Sequence, residues 1–107
     1  MPTLERLDLL TLADGASRTL PVVRWELGEA APLDLPFPRA TPLRVLRLFL
    51  SPGFQPPQPA YVDVTSQTLI EQMLPALRRR DVWPLLFTVT ALGEGVARRY
   101  QLRQSPS

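Results

Sequence analysis

The sequence predicts a small α+β domain, mainly antiparallel β, with the element order β-β-β-β-α-β-β. Three observations carry that prediction. Several short alternating segments are bounded by Pro and Gly, one stretch has helical periodicity, and a pair of alternating segments closes the chain around Gly93-Glu94-Gly95. The string fits an OB-like Greek-key barrel, with its helix between the third and fourth barrel strands. It fits equally an open sheet with one covering helix.

Leu7 to Leu12 reads as the first strand, ended by the hairpin signal Asp14-Gly15. Arg18 to Leu27 answers it, with Val23, Trp25 and Leu27 on one face and Arg24 and Glu26 on the other. Pro21 has no N–H to give a ladder, which places this strand partly at an edge. Residues 28–42 hold Pro32, Pro36, Pro38 and Pro42 and read as a loop. Leu43 to Leu50 is the clearest strand, with Leu46, Leu48 and Leu50 sharing a face. A stiff, proline-rich connection over 51–59 leads to a short strand, Tyr61 to Val64. Thr65, Ser66 and Thr68 are competent N-caps for a helix whose stripe is Leu69, Ile70, Met73, Leu74 and Leu77. Pro75 is expected to kink that helix or begin its last turn, and Arg78, Arg79 and Arg80 meet the negative end of its dipole. The terminal hairpin pairs Leu85–Leu92 with Val96–Arg103. Period two puts Arg99, Gln101 and Arg103 on its wet face and Tyr100 with Val96 and Leu102. Residues 104–107 are expected to fray.

At 107 residues the chain is expected to form a single domain over 1–107. All 12 of its cations are arginine; lysine, histidine, cysteine and asparagine are absent. That composition removes the imidazole acid/base, the thiolate nucleophile, the Schiff-base amine and the two commonest transition-metal ligands. The expectation is therefore no enzyme, no cofactor and no metal site. What remains is a set of permanently charged forks suited to phosphates and carboxylates. Residues 1–64 carry six arginines against seven acids, while residues 65–107 carry six against three, so the basic character belongs to the C-terminal part. No apolar run approaches the ~20 residues of a membrane span, and no basic segment followed by an apolar run begins the chain. No membrane partner is expected, and a cytoplasmic location is.

The candidate binding residues are Arg78, Arg79, Arg80, Arg98, Arg99 and Arg103, with Trp83 and Tyr61 as rings on which bases stack. Each has a plainer role: a helix C-terminus favours cations, an exposed strand is solubilised by them, and aromatics belong in cores. Gly93-Glu94-Gly95 lacks the spacing, helix and lysine of a phosphate-binding loop and is explained by its turn. Asp63 stands out among the acids because it precedes the helix, but no second carboxylate at suitable spacing makes it a metal ligand or general base.

From about Leu43 onward the chain resembles a class of small phage and mobile-element proteins whose terminal hairpin reads T-x-T-x-x-G-x-G-x-x-x-R-Y-x-L. Here that pattern runs from Thr88 through Gly93, Gly95, Arg99 and Tyr100 to Leu102. Some proteins of that type bind single-stranded DNA, and the resemblance implies that Arg99 and Tyr100 lie near a nucleic-acid face. The leading expectation is a non-enzymatic module for single-stranded nucleic acid. Its rival is a protein-interaction or assembly module, an inhibitor or structural subunit that pairs with a protein partner or a second copy.

Overall fold

A computed structural model describes residues 1–53, 57–79 and 84–106, and for Val96 and Pro106 the backbone alone. Its elements are β1 (Ser17–Ala30), β2 (Leu43–Leu50), β3 (Tyr61–Val64), α1 (Gln67–Arg78), β4 (Leu85–Leu92) and β5 (Arg99–Pro106). The strands form one antiparallel sheet in the order β3-β2-β1-β4-β5, with α1 against one face. The α+β reading holds, and of its two architectures the open sheet is the one formed. The Cα radius of gyration is 13.6 Å, close to the ~13 Å expected for a compact domain of about this size.

The 14-residue β1 joins two half-sheets. Its first half pairs with β4 from Ser17↔Thr90 to Val22↔Leu85, and its second half pairs with β2 from Val22↔Leu50 to Ala30↔Leu43. Val22 is the residue flanked on both sides. The register shifts between Val22 and Arg24, so Val23 is an inserted residue. This corrects the expected face of β1. Leu20 and Val22 point to the helix, Val23 is exposed, and Trp25 and Leu27 resume the inward parity. Pro21 therefore lies in the central strand, tolerated because β2 ends beside it; its carbonyl accepts from the Ser51 N–H at 2.9 Å.

The core lies between sheet and helix. Leu20, Val22, Leu46, Leu48, Leu50, Val62, Val64, Leu85, Phe87 and Val89 meet Leu69, Ile70, Met73, Leu74 and Leu77 of α1. Ser66 caps the helix, its Oγ accepting from the Leu69 N–H at 3.3 Å. Pro75 lies within α1, which continues to Arg78. Arg44 and Gln67 fix the start of the helix on β2: Arg44 Nε donates to Gln67 Oε1 at 3.0 Å, and Gln67 Nε2 donates back to the Arg44 carbonyl at 2.9 Å.

Leu7–Leu12 forms no strand of its own. Residues 2–10 are instead an arm across the helix-free face of the β1-β2-β3 half. Leu4 N–H bonds the Glu29 carbonyl at 2.8 Å and Glu29 N–H bonds Pro2 at 2.9 Å, which caps the open side of β1. At the far side, Asp63 N–H bonds the Asp8 carbonyl at 2.7 Å and Leu10 N–H bonds Asp63 at 2.9 Å, which caps β3. Leu4 seals a second cluster with Ala30, Leu35, Leu43 and Val45. Gly28 is required beneath the arm, because a Cβ there would stand 2.6 Å from the Pro2 carbonyl oxygen. Asp14-Gly15 does make a turn, Ala16 N–H bonding Ala13 at 2.9 Å, with Gly15 at φ 82°. It leads from the arm into β1.

The terminal hairpin turns through Gly93 and a 3-10 turn at Gly95–Ala97, so its second strand begins at Arg99, three residues later than expected. It also ends later: β5 pairs with β4 up to Leu85↔Pro106, and residues 104–106, expected to fray, are part of the sheet.

Candidate anion-binding surface

The two arginines of β2 are neutralised. Asp63 is fully buried and accepts from Arg47 Nε at 2.8 Å, from Arg47 Nη2 at 3.1 Å and from the Asp8 N–H at 2.8 Å. The hydrogen bond to Asp63 is the largest of the influences that raise the Arg47 pKa above its ordinary value; burial opposes it. Arg47 Nη2 also donates to the Glu5 carbonyl at 2.7 Å, and its guanidinium lies 4.0 Å from the centre of the Tyr61 ring. The Tyr61 hydroxyl donates to the Arg6 carbonyl. Arg6, at φ 54°, lets the consecutive carbonyls of Glu5 and Arg6 both reach the sheet. Arg44 pairs with Glu71 at 2.5 Å.

The arginines of the C-terminal part are placed differently. Arg98 and Arg99 line a cleft of about 220 Å³ with the cap residue Ser66, with Thr68 and Gln72 of α1 and with Tyr100 of β5. Arg98 Nη1 is braced by the Leu12 carbonyl at 2.5 Å. No acid lies in the first turn of α1, so nothing there offsets its positive dipole end beside the Arg98 and Arg99 positions. Arg103 sits on β5 opposite Thr88, exposed on the helix-free face with Arg99 and Gln101, the face expected for them. Tyr100 and Leu102 face the other way and pack against the core, as their alternation requires. Arg78 and Arg79 are exposed at the opposite end of α1, ~18 Å from the cleft at 1.5 Å per residue. Arg79 Nε returns to the Pro75 carbonyl at 3.1 Å, satisfying a helix-end acceptor. None of these five arginines makes an ion pair with a described carboxylate.

The eight expected residues thus do not form one patch. Arg98 and Arg99 share the cleft, Arg103 follows along β5, and Arg78 and Arg79 stand apart. Tyr61 belongs to the other half of the sheet, with one ring face covered by Arg47. Arg80 and Trp83 lie outside the described residues. Ser66 and Thr68, which the sequence offers only as helix caps, line the cleft with Gln72; only the tertiary position of the helix start beside Arg98 gives them that place. Asp63, conspicuous in the sequence, turns to the arm rather than to the helix. Among the described residues no three His, Cys, Asp or Glu side chains group as metal ligands, and no helix is long and apolar enough to cross a membrane.

Compared with known proteins, the chain matches no family model, no curated protein and no solved structure.

Proposed function

We propose that this chain is a non-enzymatic module that holds single-stranded nucleic acid by its phosphates, with Arg98 and Arg99 at the cleft as the anchor and Arg103 extending the track along β5. One observation carries the reading. The two arginines of β2, Arg44 and Arg47, are each matched by a carboxylate, and Arg18 and Arg24 of β1 are engaged by Gln58 and the Phe49 ring, whereas the five described in the C-terminal part are matched by no described carboxylate. Guanidinium groups left without counter-charges along the hairpin supply what a phosphate ester needs: fixed positive charge and a planar fork of donors. Bases contribute little through Tyr100, because its ring packs against the core. Affinity then depends mostly on charge and little on sequence.

Fluorescence anisotropy with a labelled oligothymidine at two salt concentrations tests this. Three phosphate contacts give a slope of log K against log salt of about −2 for a single strand. The double variant Arg99→Ala/Arg103→Ala should flatten that slope toward about −0.7 and leave the melting temperature in place. Absence of binding at low salt overturns the reading.

A further inference from the structure

The chain covers two edges of the sheet itself: residues 2–4 cap the second half of β1 and residues 8–10 cap β3. The edge along β5 is paired with no described residue. Its outward groups follow from the ladder. Ala91 turns its N–H and carbonyl toward β1, bonding Ala16 at 3.0 Å and Gly15 at 2.7 Å. The even-numbered residues of β4 therefore face β5, and their partners Gln101 and Arg103 face back. Tyr100, Leu102 and Gln104 are left with N–H and carbonyl groups directed away from the sheet. Pro106 has the same parity and, lacking an N–H, ends the open run.

We propose that the β5 edge accepts an added strand from a protein partner, and that the strand is an extended segment alternating acidic and apolar residues. The side chains beside the edge specify it. On the helix-free face an incoming strand meets Arg99, Gln101 and Arg103, two cations with no described carboxylate partner. On the helix side it meets the half-buried Tyr100 and Leu102, which already pack against the core. Acidic residues on one face of the segment and apolar residues on the other satisfy both. A second copy of the chain does not. Two β5 strands laid antiparallel would bring four arginines onto one face with no acid among them, and like charges across strands repel. The arginines thus act as negative selection against self-pairing while admitting an acidic strand. This inference stands apart from the nucleic-acid reading, because it rests on backbone donors and acceptors.

The test is titration of the whole protein with a fluorescein-labelled nonapeptide alternating Glu and Val, read by anisotropy at neutral pH. A Lys/Val peptide of the same length serves as control. The Glu/Val peptide should bind at least tenfold more tightly than the control. Gln104→Pro, which removes one outward donor and spares the β4 ladder, should weaken it at least tenfold. The same peptide N-methylated at alternate residues should fail to bind, a measurement needing no change to the protein. Oligothymidine affinity of Gln104→Pro should stay within twofold of the parent, so the two proposals fail separately. Equal binding of the two peptides, undiminished binding of the N-methylated peptide, or a dimer in sedimentation that Gln104→Pro dissolves would each overturn the proposal.

Discussion

The helix-free face of the sheet is two surfaces built from the same kinds of residue. On the β1-β2-β3 half, charges are consumed internally: Arg47 serves Asp63 and the Glu5 carbonyl, its guanidinium covers Tyr61, and Arg24 lies 3.8 Å from the centre of the Phe49 ring. An arm of the chain covers that half. On the β1-β4-β5 half, hydroxyls pair with each other, Ser17 with Thr90 at 2.6 Å and Thr19 with Thr88 at 3.1 Å, while Arg99 and Arg103 project without a described acid. No described element crosses it. Arginine is therefore structural in one half and available in the other. What separates the two roles is whether a buried carboxylate or an aromatic ring lies within reach.

Substitutions can break or sharpen that contrast. The largest effect is expected from Arg47→Ala, which leaves the Asp63 carboxylate buried and unpaired. Breaking such a pair from one side costs about 3–5 kcal/mol, and thermal unfolding should show a fall in Tm of more than about 12 °C. Next comes Gly28→Ala, whose Cβ collides with the Pro2 carbonyl. A clash of this kind costs ~1–3 kcal/mol, and hydrogen exchange should show faster exchange at the Leu4 and Glu29 amides while α1 stays protected. Ser66→Ala removes the cap beside the cleft at a cost of about 1 kcal/mol, read from the denaturation midpoint. The smallest effect on stability is expected from Arg99→Ala/Arg103→Ala, with Tm within about 2 °C of the parent, as for surface changes away from such features. If that pair destabilised the protein as much as Arg47→Ala, the contrast between the halves would be lost.

Much of this architecture is legible in the residues themselves. Leu85 to Leu92 alternates without interruption, and its buried set of Leu85, Phe87, Val89 and Ala91 follows directly. The helix was visible from Ser66 and the stripe that ends at Leu77, because cap and periodicity are both local signals. Three features were not. The inserted Val23 breaks alternation inside a run of apolar residues, where either parity reads as plausible. Leu7 to Leu12 is apolar enough for a strand, yet its backbone partners are single residues on two different edges, which only tertiary placement decides. The arginines divide for the same reason: Arg47 meets Asp63 only because the register sets them opposite each other. Nothing in the sequence near Arg47 distinguishes it from Arg99, so the site's composition was readable and its geometry was not.

The arm also has a consequence for synthesis on the ribosome. Asp8 leaves 55 positions ahead of Asp63, the residue that anchors it. At roughly 5–20 residues per second the interval is about 3–11 s, during which residues 8–10 lack the edge they pair with. These residues thus leave the ribosome well before the strand that holds them and settle late, a window in which they are an unshielded apolar peptide.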